Sequence, residues 1–100
     1  MVVVVFRSRI REDADIAALE LVGERMGELA RAMPGFISYK DFASGDGEYV
    51  SIVEFADFDT LRAWRQHPEH REVQERSRRE FMSEYHIQVC TPVRDYRFPA

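Results

Sequence analysis

The run VVVVF at residues 2 to 6 constrains this chain more than any other feature. It is β-branched and aromatic, and too short for a helix, so it predicts a strand over residues 2 to 9. Side chains on a strand alternate between faces, so Val2 and Val4 point one way while Val3 and Val5 point the other. Such a strand belongs in the middle of a sheet that is covered on both sides.

The rest of the chain supplies the partners. From Asp13 to Met33 the apolar positions Ile16, Leu19, Val22, Met26, Leu29 and Met33 recur at gaps of three and four, the helical period. Asp13 is the expected N-cap, and Pro34-Gly35 ends the helix. FISYKDFA (36 to 43), SGDG (44 to 47) and EYVSIVEFA (48 to 56) predict a β-hairpin about a glycine-bearing turn. A second helix is expected from Asp57 or Asp59, interrupted at Pro68 and resuming to about Met82. A last strand, EYHIQVCTPV (84 to 93), precedes the tail RDYRFPA.

The order β-α-β-β-α-β is the ferredoxin-like α+β arrangement, a four-stranded antiparallel sheet with two helices on one face. Right-handed crossovers place strands 1 and 3 in the centre. Strand 3 is also apolar on both sides, Val50 and Ile52 opposing Val53 and Phe55. Helices cover only one sheet face, so the other would leave a large bare apolar patch. A homodimer packed through the sheet faces is the expected solution.

A chain of 100 residues reads as one domain, with 94 to 100 as a C-terminal tail. The single cysteine, Cys90, excludes an internal disulfide and fits a reducing, cytoplasmic setting. It is expected to be a small buried apolar residue. The net charge of -4 argues against a nucleic-acid partner, and ERSRRE (75 to 80) reads as the solvated side of a helix. The opening apolar run is too short for a signal peptide, and no window reaches the ~20 apolar residues of a membrane span.

The stretch AWRQHPEHREV (63 to 73) holds the lone tryptophan and two of the three histidines. Pro68 suits a first helical position, which puts His67 at or near an N-cap. Trp64 follows Leu61 by three residues and is expected to pack in the core. His67 and His70 lack a third ligand at a recognisable spacing, so no metal site is expected. No phosphate loop or dinucleotide fingerprint is present, and no cofactor is implied. On the last strand, either His86, Gln88 and Cys90 or Tyr85, Ile87 and Val89 face the helices; the sequence leaves both open.

PGFISYKDF, GEYVSIVEF, LRAWRQHPEH, YHIQVC and VRDYRF, in that order, resemble the antibiotic biosynthesis monooxygenase domain family. The resemblance implies a dimeric α+β barrel with a cavity between sheet and helices in each subunit. The family includes cofactor-free oxygenases of polycyclic quinols and anthrones, quinol monooxygenases and haem-degrading enzymes. Ser51 and Phe55 stand where the cofactor-free oxygenases carry an asparagine and a tryptophan. Trp64 matches the helix-2 tryptophan of the haem-degrading branch, but Gln74 stands at the place of its histidine ligand, so haem degradation is not expected.

The resemblance thus implies oxidation of a small aromatic ligand by dioxygen without a cofactor. His70 is the expected general base, with Trp64 and Ser51 as its catalytic partners. Phe36, Tyr39, Phe55, Arg65, His67 and Phe81 are the expected substrate-binding residues. The alternatives are a non-catalytic ligand-binding or interaction module on the same barrel, and another dimeric-barrel isomerase or lyase.

Overall fold

A computed structural model describes residues 1–100. It contains β1 (Val2–Ile10), α1 (Ile16–Ala32), β2 (Phe36–Ala43), β3 (Tyr49–Phe55), α2 (Phe58–Gln66), α3 (Pro68–Arg76), a π-helical turn (Ser77–Phe81) and β4 (Met82–Cys90). The sheet order is β2-β3-β1-β4, all antiparallel, with the two doubly apolar strands in the middle. This is the ferredoxin-like α+β fold expected from the sequence.

Three boundaries differ from expectation, each for a local reason. Helix α1 starts at Ile16, because Asp15 is the cap and accepts the Ala18 N–H. Asp13 is occupied by a two-point pair with the Arg11 guanidinium, at 3.0 Å for each bond. The helix beyond Pro68 ends as α3 and passes through a π turn that buries Phe81. Strand β4 runs from Met82 to Cys90 instead of 84 to 93. Its last partner on β1 is Val3, so Thr91 onward has no strand to pair with.

The junction of α2 and α3 is built as the proline dictates. His67 is extended (ψ 132°), the conformation favoured before proline. Its backbone N–H still closes α2 on Trp64 O, while its Nδ1 accepts the Glu69 N–H and caps α3. Asp57 starts α2 with a reciprocal capping box to Thr60. Burial of Trp64 and Leu61 is therefore set by caps at both ends of a nine-residue helix.

The core lies between the sheet and the helices. Val2, Val4, Val53 and Phe55 from the central strands meet Met26, Leu29 and Ala30 of α1 and Leu61 and Trp64 of α2. The register settles which side of each strand faces this core. Val4 pairs with both Val53 and Val89, so Tyr85, Ile87 and Val89 face the helices. His86, Gln88 and Cys90 lie on the opposite face with Val3, Val5, Val50 and Ile52. Cys90 is exposed, contrary to the expected burial, because it ends an edge strand on the face that no helix covers.

Candidate functional site

Trp64 is the centre of the candidate site. It is 6% exposed and stacks on Phe55 at 5.5 Å between ring centroids. The edge of Tyr39 meets it at 6.3 Å, and Phe36 in turn packs edge-on against Phe55 at 5.9 Å. These rings come from α2, β2 and β3, and their offset and edge-to-face contacts are the arrangements aromatic quadrupoles favour. His70, one turn into α3, closes the group with its ring 4.5 Å from Trp64.

Two polar atoms in this cluster are buried without a partner: Trp64 Nε1 and His70 Nδ1. A buried indole N–H usually finds an acceptor, and an unpaired buried polar group costs about 1–3 kcal/mol. The two atoms sit on touching rings, so both orphaned groups fall at one place in the core.

The environment also fixes the charge of His70. Burial, and then the nearby Arg65 and His67 side chains, push its pKa down to about 4, from 6.5. At neutral pH it is therefore an uncharged imidazole, able to accept a proton. Arg25 on α1 holds the carboxylate of Glu69, the residue before His70, by two bonds at 2.5 and 3.0 Å. The same contact lowers the Glu69 pKa and pins α3 to α1.

A second polar group lies along the same sheet face. Asp41 on β2 pairs in register with Ser51 on β3, and the Ser51 hydroxyl donates to Asp41 Oδ1 at 2.5 Å. Tyr39 pairs with Val53, one step along that face, between this couple and Trp64. Its phenol is raised above its usual pKa, mainly by burial and then by the Asp41 charge, with the Ser51 hydroxyl opposing. Ser51 and Phe55 are four residues apart, so the polar couple lies roughly 13 Å from the Trp64 end at ~3.3 Å per residue.

The structure thus brings Trp64, His70, Tyr39, Phe55 and Phe36 into one cluster, with Ser51 further along the same face. Three expected residues lie outside it. Phe81 is buried at the far end of β1, under the Arg76 guanidinium and beside Arg11. His67 is occupied as a helix cap. Arg65 is exposed and reaches the cluster only through its charge. Asp41 was not singled out from the sequence, although the SGDG turn places it opposite Ser51 once the hairpin register is drawn. No group of three or more His, Cys, Asp or Glu side chains is placed to hold a metal ion, and no helix is long and apolar enough to cross a membrane.

A four-stranded antiparallel sheet with its helices packed on one face defines the ferredoxin-like α+β class. Within it, the family profile for antibiotic biosynthesis monooxygenase matches residues 1–76, and the chain belongs to that family. Among solved structures, Rv0793 of Mycobacterium tuberculosis is 25% identical, with a TM-score of 0.83 over 96% of this chain and 98% of its own. The mutant structure of SnoaB, a cofactor-independent oxygenase of Streptomyces nogalater, is 21% identical, with a TM-score of 0.81 over 99% of this chain and 97% of its own. An uncharacterized protein of Bacillus subtilis, YqjZ, is 30% identical over 67 residues, 67% of this chain. The match spans 59% of that relative's length.

Proposed function

We propose that this chain is a cofactor-independent monooxygenase that oxidises a small aromatic or polycyclic quinol- or anthrone-type substrate with dioxygen. The observation that carries the reading is the pair of buried, unpartnered nitrogens on Trp64 and His70, in a cluster of packed aromatic rings. Family membership and the fold shared with a cofactor-independent oxygenase support it.

The chemistry needs few protein groups. Neutral His70 removes a proton from the enol or phenol of the substrate. An imidazole of such low basicity does this only if the anion formed is itself stabilised, and Trp64 Nε1–H is available as the donor. The electron-rich anion passes an electron to dioxygen, and the two radicals join through a new carbon–oxygen bond. Loss of water from the resulting peroxide leaves a carbonyl. For an anthrone the balance is a CH2 group plus dioxygen giving C=O plus water. Phe36, Phe55 and Tyr39 keep bulk water from the anion while it forms.

The proposal includes a homodimer joined through the open sheet face. Val3, Val5, Val50 and Ile52 line that face, which no helix covers. It also takes residues 1 to 100 as one domain in a reducing cytoplasm, the setting that suits a single free cysteine.

The test is oxygen uptake by the purified, metal-stripped protein over anthrones, naphthohydroquinones and catechols, with spontaneous autoxidation subtracted. The reading expects saturable uptake that falls sharply in His70→Ala. No uptake above background across the panel would instead favour a ligand-binding barrel without catalysis.

A further inference from the structure

We infer that α3 is a hinged flap over Trp64, latched to α1 by the Arg25–Glu69 ion pair, and that a ligand reaches Trp64 and His70 only while the latch is open. The inference rests on the reading of these two residues as the ligand site, and goes beyond it by assigning the entrance and the contact that controls it.

The two orphaned nitrogens are shut away from solvent. Two surface clefts, of about 250 Å3 beside Arg7, Tyr85 and His86 and about 300 Å3 beside Arg11, Arg79 and Phe81, touch neither Trp64 nor His70. A ligand that bonds Trp64 Nε1 must therefore displace a neighbouring side chain. Three rings pack against the indole: Phe55 at 5.5 Å, Tyr39 at 6.3 Å and His70 at 4.5 Å. Phe55 and Tyr39 are fixed in the sheet ladder, Phe55 between β1 and β2. His70 is carried by a helix.

The helices are not held equally. Helix α1 buries Met26, Gly27, Leu29 and Ala30, and α2 buries Leu61 and Trp64, but no residue of α3 is buried. Elements with little buried surface open at the lowest cost. Both ends of α3 are also irregular. At its start, Pro68 has no N–H to tie it back into α2, and His67 is extended. At its end the chain passes through the π turn Ser77–Phe81, with Phe81 buried as an anchor. The segment therefore pivots about Phe81 and lifts at the end that carries Glu69 and His70.

What holds that end down is Arg25. Its guanidinium takes both oxygens of the Glu69 carboxylate, at 2.5 and 3.0 Å. Glu69 is next to His70, so the pair sets how closely the histidine ring rests on Trp64. Both side chains remain open to water, 52% and 33% exposed, which makes the contact one that opens readily. Pairs of this kind shift an equilibrium by about two- to fivefold.

The test is acrylamide quenching of the fluorescence of Trp64, the sole tryptophan of the chain. Acrylamide is neutral and small enough to follow the path of a ligand. Arg25→Gln and Glu69→Gln should each raise the quenching constant by about two- to fivefold. The double variant should raise it no further, because the pair acts as one unit. Arg62→Gln removes an ion pair to Asp59 that lies wholly within α2 and should leave quenching unchanged. Hydrogen exchange on the latch variants should be faster in α3, with β1 and β3 unaltered.

Unchanged quenching in both latch variants would overturn the inference, as would a rise of the same size in Arg62→Gln. So would faster exchange throughout the sheet, which would mean that the pair holds the whole fold and not a flap. The oxygenase reading is tested separately: a working latch without oxygen uptake on quinols would sink that reading and leave the flap standing. Oxygen uptake with quenching indifferent to the latch would do the reverse.

Discussion

The charge state of His70 makes a prediction that can be read without knowing the substrate. Its pKa in the folded protein is about 4, against 6.5 when free of the fold. A histidine lowered in this way costs stability in acid. Below pH 6.5 the unfolded chain binds a proton that the folded chain refuses, and the penalty grows until the folded group itself protonates near pH 4. Each pH unit between those two values is worth about 1.4 kcal/mol, so the full penalty approaches roughly 3 kcal/mol. Partial access of the ring to water reduces this, and about 1–3 kcal/mol is the working range, or roughly 5–20 °C in melting midpoint for a domain of this size.

The assay is a thermal melt of wild-type protein and of His70→Gln at pH 7 and pH 4.5. Glutamine fills similar space and does not titrate, so the variant should lose less stability than wild type on acidification, by the amount above. Asp46, Asp57 and Glu69 have depressed pKa values, from Ser44, from Thr60 and from Arg25 respectively. Their contribution is present above the ordinary carboxylate range and is lost below it, equally in both proteins, so it cancels in the comparison. Parallel loss of stability in the two proteins would refute the claim that His70 is buried and neutral.

Four further outcomes follow from the same geometry. His70→Ala should lower kcat on any accepted quinol or anthrone by about a hundredfold or more, the usual worth of a positioned base, read by oxygen electrode. Phe55→Ala removes a fully buried ring beneath Trp64 and should cost about 3–5 kcal/mol in denaturant unfolding. Gly35→Ala should destabilise as well: φ is +81°, and the new Cβ would lie 2.5 Å from Thr60 Oγ1, so a melt should show a loss of at least about 1–2 kcal/mol from the backbone alone. Ile52→Lys on the open sheet face should give a folded monomer in sedimentation, where the wild-type chain should sediment as a dimer at micromolar concentration.

The fold was legible because each element carries a local signal that tertiary contacts did not override. Four valines, a glycine turn and a three-four period leave little choice of topology. What the sequence hid depends on register and on competition between neighbours. Asp13 and Asp15 are both good caps, and only the Arg11 pairing decides between them. The side of β4 that faces the helices depends on whether Val4 meets Val89 or its neighbour, which strand propensity does not fix. The spacing of Trp64 and His70 is what lets their rings meet across the α2–α3 junction, but the sequence does not separate Phe81 from that cluster. Whether a buried aromatic joins one end of the sheet or the other depends on the π turn, and nothing in SRREF announces it.

The central claim is that this chain inserts oxygen into its substrate, and isotopically labelled dioxygen tests it most directly. Anthrone is incubated with the metal-stripped protein under labelled dioxygen in unlabelled water, and the anthraquinone is examined by mass spectrometry at early times. The account predicts one labelled oxygen atom in the enzyme-dependent product, with the other recovered in water. Product formed at the uncatalysed rate, or a new carbonyl oxygen that comes from water with hydrogen peroxide released, would contradict it.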